Sequence, residues 1–248
     1  MVGTLAWARR TGGRLSRRDR LELLVQGVRR QAADLMPGRG SRARAVLELD
    51  GYAPPDSALA RDAEELCREV SEPFLEAHCQ RVNLWGVAIG RHEGVDFDEE
   101  ALYVASLTHD LGLTARFRGH DPEAACFSLD SASGARAVIR PHGWPEPRVD
   151  TVAEAITLHL NAHVPLAKGA EAYLLQIGAA LDVTGYRLGD VDRATRAAIL
   201  AAHPRHDMKR AFVALMHDEL RLHPESRPAF FTRRLRFGRM IQRAPFDA

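Results

Sequence analysis

Cysteine is scarce in this chain. Its three residues, Cys67, Cys79 and Cys126, are odd in number and show no Cys-x-x-Cys spacing. Neither a disulfide framework nor a cysteine-ligated zinc site can be assembled from them, and a reducing compartment fits. Lysine is scarcer still: Lys168 and Lys209 stand beside 32 arginines, a bias spread along the whole sequence and read as the codon usage of a GC-rich genome. No run of about 18 apolar residues occurs, which excludes a membrane span. The opening MVGTLAWARR has no leader-type apolar region followed by a small-residue cleavage site. No unit recurs at a fixed period of about 20 to 50 residues, so a solenoid is excluded too. These absences point to a cytoplasmic protein with no membrane association.

What remains is ordinary globular composition. The 248 residues are 46% apolar and 27% charged, enough apolar material for one large core. The net charge of +1 conceals an uneven distribution. Residues 1–50 carry 11 Arg against 5 acidic residues, and residues 226–248 carry six Arg and one Asp among Phe230, Phe231, Leu235, Phe237, Met240 and Ile241. Three segments are expected: a basic extension over 1–50, a central domain over 51–222, and a basic-aromatic extension over 223–248. Both ends are read as helices that lay an apolar stripe on the bundle and keep arginine in water. Leu21, Leu23, Leu24, Val25 and Val28 would dock on the core or on a second subunit, so a homo-oligomer is admitted. No nucleic-acid partner is expected.

Almost every periodic segment reads as helix, and no strand pair is joined by an Asn-Gly or Asp-Gly turn, so the class is all-α. A helix is expected over 57–70. Ser71 then caps one that carries His78 among Phe74, Leu75, Val82 and Trp85 and breaks at Gly90. Asp98 caps a third, with Leu102, Ala105 and His109 at helical spacing and a stop at Gly112. Asp121-Pro122-Glu123 opens a fourth that ends by Arg140. Asp150 caps a fifth, with His159 on the stripe of Val152, Ala155 and Ile156. A sixth spans 168–182, Asp192 caps a seventh to about residue 202, and the last long one covers 205–222.

Four chemistry-bearing residues fall on inward faces: His78, His109, Asp110 and Asp182. Two imidazoles and two carboxylates suit a divalent first-row metal, Zn²⁺ first, with Fe²⁺ or Mn²⁺ also admitted. Without a cation their burial would leave like charges unpaired. Each position alone is bland, since a single histidine on an apolar face is usually a satisfied core or surface group.

The motifs around these residues resemble a known family. His78 is followed at the third position by Arg81, an apolar helix leads into Ala105-Ser106-Leu107-Thr108-His109-Asp110-Leu111-Gly112, and Leu181-Asp182-Val183-Thr184-Gly185 lies downstream. Together they are similar to the H…HD…D signature of the HD superfamily of metal-dependent hydrolases. Phe127, Ala155-Ile156-Thr157-Leu158-His159 and Asp182-Val183-Thr184-Gly185 resemble the cyanamide hydratase-like branch of it. The likeness runs over about residues 57–222, including His203-Pro204-Arg205 and the helix around Phe212.

That resemblance implies a compact HD-domain helical bundle with His78, His109, Asp110 and Asp182 as metal ligands. It implies a hydrolase or hydratase whose metal-activated water attacks a small polar molecule, either a phosphate ester or a nitrile-like compound such as cyanamide. Asp110 would also accept the water's proton. Arg81 would orient a carboxylate, neutralise an anionic substrate, or serve as a structural ion-pair partner. His159 is expected to face substrate as a catalytic residue, and His163 to be an exposed loop residue. Arg116, Arg118 and His120 lie where a phosphate would dock. One departure bears on substrate: the branch commonly has Phe-Glu near the turn at Phe127-Ser128-Leu129-Asp130, so a substrate-binding carboxylate is missing here. The competing readings are a di-iron oxygenase using His159 or His163 as extra ligands, and a non-catalytic regulatory module that binds a nucleotide.

Overall fold

The computed structural model describes residues 1–34, 43–119 and 123–246. Among the described residues there are twelve α-helices and no sheet, and the sole β feature is an isolated parallel bridge between Ala45 and Val191. The all-α class expected from the sequence is therefore observed. No helix of the described residues is long and apolar enough to cross a membrane.

Two N-terminal helices, α1 (Leu5–Thr11) and α2 (Arg17–Asp34), precede the bundle. The bundle comprises α3 (Ala58–Val70), α4 (Pro73–Glu93), α5 (Glu99–Thr108), α6 (Phe127–Ile139), α7 (Glu146–Leu158), α8 (Ala170–Thr184), α9 (Arg193–Ala202) and α10 (Met208–Leu222). Two further short helices follow, α11 (Arg227–Arg234) and α12 (Phe237–Gln242).

Apolar patterning decides which helices lie inside. α4 is apolar on most of its circumference and buries nearly every residue from Phe74 to Gly90, as a helix enclosed on all sides must. α5 is buried along Ala101–Thr108, and α8 from Ala172 to Val183 with few exceptions. These three pack on one another, and α7 closes the core against α5, α6 and α8. α4 and α8 approach closely at Gly178. A β-carbon there would stand 2.3 Å from the Val82 carbonyl oxygen, so only glycine lets the backbones meet. Gly178→Ala is expected to lower stability by about 1–3 kcal/mol through this overpacking. Scanning calorimetry checks it, and an unchanged Tm would mean that the two helices do not touch.

Capping explains several boundaries and corrects others. Ser57, Asp98 and Asp192 cap α3, α5 and α9 through side-chain bonds to backbone amides, as their residue types suggest. Ser71 closes α3, while Glu72 opens α4; that helix runs past Gly90 to Glu93 and ends at Gly94 in the left-handed region, φ 66°. α7 starts at Glu146 rather than at Asp150, because Pro147 sits in its first turn, where a missing amide costs nothing. α8 begins at Ala170 and α10 at Met208, each a few residues later than the patterning suggests. α6 begins at Phe127; the expected opening at Asp121-Pro122 lies outside the described residues.

The two ends of the chain pack together. Val2, Trp7, Ala8, Leu15 and Leu23 bury themselves with Phe231 of α11. On α2 the outcome differs from expectation: Leu23 is buried, but Leu21, Leu24, Val25 and Val28 are exposed. The C-terminal segment forms two helices rather than one. Arg233, Arg234, Arg236, Arg239 and Arg243 are exposed as expected, but Arg227 is fully buried. Its guanidinium donates to Asn161 Oδ1 (3.2 Å) and Ser128 Oγ (2.9 Å) and lies over the Trp7 ring.

Candidate metal centre

Helix ends supply the first two rings. The last carbonyls of an α-helix have no amide partner within it, and histidines placed just past α5 and α7 use them. His109 Nδ1 lies 2.7 Å from the Ser106 carbonyl oxygen, and His159 Nδ1 lies 2.6 Å from that of Ile156. His78, in mid-helix on α4, instead places Nδ1 2.7 Å from Asp182 Oδ2 on α8. Each Nδ1 therefore donates a proton to a fixed acceptor. In the neutral ring this leaves Nε2 unprotonated, with its lone pair free.

The three free nitrogens converge on one carboxylate. His78 Nε2 and His109 Nε2 are 3.3 Å apart. Asp110 Oδ2 lies 3.5 Å from the first and 3.4 Å from the second, and Oδ1 lies 3.8 Å from His159 Nε2. Asp110 is set by the turn after α5. Gly112 packs so closely there that a β-carbon would meet the Phe127 carbonyl oxygen at 2.1 Å, and its amide donates to Ser131 Oγ. Both Asp110 oxygens are buried and have no hydrogen-bond partner.

Facing lone pairs around an unpartnered carboxylate repel one another unless a cation lies between them. His78, His109 and Asp110 form a buried group able to hold a metal ion. Protonation agrees with that use, since ligands must be deprotonated. Burial alone would raise the Asp110 carboxyl, but the surrounding imidazoles hold it well below the carboxylate range. Burial, reinforced by His109, drives His159 down to about 3, and burial also lowers His109. His78 is the exception: burial lowers it, but the neighbouring carboxylates of Asp110 and Asp182 outweigh burial and displace it upward.

A pH dependence follows for the metal-free protein. His159 takes up a proton near 6.5 when unfolded but only near 3 when folded, so the unfolded chain binds more protons between those values. Stability is expected to fall as pH drops through that window, by up to about 1.4 kcal/mol per pH unit for each such histidine. His109 acts in the same direction and His78 in the opposite one. Urea midpoints of metal-free protein from pH 7 to 4 check the sign; a flat profile contradicts it.

Asp182 is placed differently from the sequence expectation. It meets the His78 ring at the edge away from His109 and Asp110 and, like His159, is not one of the three residues of that group. Five donors saturate it: His78 Nδ1, Arg81 Nε (2.8 Å) and Nη2 (2.9 Å), Trp85 Nε1 (3.0 Å) and Arg205 Nη1 (3.2 Å). Burial opposes its ionisation, but Arg81 and His78 hold it well below the carboxylate range. Arg81 is wholly buried, and its Nη1 donates to the His203 and Pro204 carbonyls. Of the roles open to Arg81, the contacts observed are those of a structural ion-pair partner, to Asp182. Trp85 and Arg205 escaped the sequence reading as partners. Trp85 was visible as an inward residue seven positions after His78, and Arg205 within His203-Pro204-Arg205.

The other polar residues singled out do not join the centre. His163 is exposed, and His142 pairs with Asp62. Arg116 pairs with Glu69 at the surface, and Arg118 donates to the Leu113 carbonyl. His120 lies outside the described residues.

Above the four converging side chains is a chamber of about 120 Å³. Its walls include Val183 of α8, Phe212 and Met216 of α10, Phe231 of α11, and Phe237 and Met240 of α12. No lysine, arginine or glutamate lines it. Apart from the converging His and Asp residues, its polar side chains are Asn161 and Thr184. Both are engaged: Asn161 with Val2 and Arg227, Thr184 with the Ala180 carbonyl.

No family model matches the chain. Two proteins of Saccharomyces cerevisiae, cyanamide hydratase DDI2 and cyanamide hydratase DDI3, are each 29% identical to it over 172 residues, covering 67% of this chain and 74% of theirs. The similarity supports the cyanamide hydratase-like relationship that the motifs imply.

Proposed function

We propose that this protein is a metal-dependent hydratase that adds water across a carbon–nitrogen multiple bond of a small neutral molecule. His78, His109, His159 and Asp110 would hold one divalent cation, Zn²⁺ being the best match to three imidazoles and a carboxylate and Fe²⁺ or Mn²⁺ the next. The observation that carries this reading is the convergence of three imidazole Nε2 atoms on a buried carboxylate with no hydrogen-bond partner. The yeast relatives, named as cyanamide hydratases, favour a nitrile-like substrate.

The bound ion supplies Lewis acidity, bringing the pKa of water from 15.7 toward ~7. The chain's residues do the rest. Asp110 would help hold the ion and would accept the proton of the attacking water on a carboxylate oxygen. The water oxygen bonds to the substrate carbon as one carbon–nitrogen π bond opens and Asp110 returns the proton to nitrogen, giving the imidic acid; transfer of the remaining water proton from oxygen to nitrogen, with the second carbon–nitrogen π bond replaced by the carbonyl, gives the amide. Asp182 fixes the His78 ring from behind, and Arg81 and Arg205 fix Asp182, so all three act as positioning residues. The apolar chamber excludes bulk water.

The other readings find less support. A phosphate ester or nucleotide needs cations in the chamber, whereas Arg81, Arg205 and Arg227 are all bonded elsewhere. A di-iron site needs ligands for a second ion, and among the described residues a single candidate cluster is found, with His163 exposed outside it.

The test is metal content with turnover. Reconstituted protein is expected to hold one ion per chain and to hydrate cyanamide in preference to a generic phosphomonoester. His159→Ala is expected to lower metal affinity at least tenfold and turnover with it. Full metal occupancy with reduced turnover would return His159 to a substrate-facing role.

A further inference from the structure

We propose that the substrate is an uncharged nitrile carrying an apolar substituent of about three carbons, and that the C-terminal helices α11 and α12 select it. The inference rests on the hydratase reading for its chemistry, but on the chamber itself for its substrate class.

Polarity comes first. Every chamber wall other than the converging His and Asp side chains is apolar or already bonded internally: Asn161 spends its amide on Val2 and Arg227, and Thr184 its hydroxyl on Ala180. A charged or strongly polar substituent would lose its hydration there and gain no partner. An alkyl group loses nothing of that kind and gains burial against Val183, Phe212, Met216 and Phe237.

Size comes second. An apolar cavity of about 150 Å³ accommodates benzene, with six heavy atoms. The chamber's 120 Å³ therefore holds about five by proportion. Cyanamide has three heavy atoms and would leave part of the wall without contact. Butyronitrile has five: its carbon and nitrogen at the ion end, and three carbons toward α12.

The far wall is what distinguishes this site. Phe231, Leu235, Phe237 and Met240 all come from the segment after residue 222, and Met240 is 42% exposed, so it stands at the rim. This gives the C-terminal segment a task in specificity that its arginines alone did not suggest.

Two measurements test the proposal. The first is binding without turnover: methyl resonances of the chain's methionines, recorded on metal-free protein titrated with butyronitrile. Met216 and Met240 are expected to shift and Met1 is not. The second is kcat/KM on metal-loaded protein across cyanamide, acetonitrile, propionitrile and butyronitrile. Among the three alkyl nitriles it should rise about fourfold per added methylene, the equivalent of about 0.8 kcal/mol per buried CH₂. Butyronitrile should exceed cyanamide. Met240→Arg, at the half-exposed rim, should flatten the alkyl series and abolish the methyl shift at Met216, with unchanged Tm showing that it folds. Methyl shifts without turnover of any compound support the chamber assignment and defeat the hydratase reading. Turnover of cyanamide with no alkyl gain and no methyl shifts leaves the hydratase reading in place and overturns this one.

Discussion

Asp110→Asn is expected to remove bound metal and hydration activity together, lowering metal affinity by more than about 100-fold and turnover by about 10³-fold or more, with little change in the shape of the site. The substitution keeps the volume of the side chain and deletes only its charge. In the native site that charge faces three ring nitrogens, the Nε2 atoms of His78, His109 and His159. Neither of its oxygens has a hydrogen-bond donor. A group so placed has nothing to lose from amidation except its attraction for a cation. Thermal stability makes a second readout. An ion present at 100 times its Kd stabilises the native chain by about 2.7 kcal/mol. For a protein of this size that is roughly a 5–10 °C rise in Tm, which the variant should not show. Metal analysis after dialysis, together with calorimetry with and without Zn²⁺, checks both. Stoichiometric metal in Asp110→Asn would sink the site assignment.

How much of this was legible in the sequence depends on how local the determining physics is. The helices around His78, His109 and Asp110 could be read because apolar spacing and capping residues act over a few positions. Asp98 bonds the Ala101 amide whatever the rest of the chain does. Helix starts near prolines were harder, since Asp150 and Glu146 both make acceptable openings and Pro147 decides between them. The convergence of His78, His109 and Asp110 was legible as a set. The place of Asp182 behind the His78 ring was not, because residue type and helical face do not tell which edge of a ring a carboxylate meets. That is settled by the Gly178–Val82 contact, which fixes how far α8 slides along α4, and by the two arginines that draw the Asp182 oxygens away from the cluster. The chamber was invisible for a similar reason: its far wall is brought back from the chain's last 25 residues, whose alternation of arginine and aromatic groups reads equally well as a surface helix.

The same arginines set the largest expected effect on stability. Asp182→Asn should destabilise the metal-free protein by about 3–5 kcal/mol, because it leaves two buried guanidinium groups without an anion. Arg81 is 0% and Arg205 8% exposed, and Asp182 is the carboxylate that both meet. An asparagine offers one acceptor oxygen where five donors now arrive, and its own amide hydrogens would point at other donors. Against a total folding free energy of about 5–15 kcal/mol, such a loss is severe. The companion variant Arg205→Met removes one cation and keeps the Arg81–Asp182 pair, so alone it should cost much less. In the double variant it should restore part of what Asp182→Asn loses, giving a favourable coupling of about 1–3 kcal/mol in a double-mutant cycle. Metal binding separates positioning from ligation. As the anchor of the His78 ring, Asp182 should affect metal affinity by about 10- to 100-fold, less than Asp110 does. If metal-free Asp182→Asn unfolds at the native urea midpoint while its metal affinity collapses as far as that of Asp110→Asn, the carboxylate is a ligand and the network behind His78 carries no structural weight.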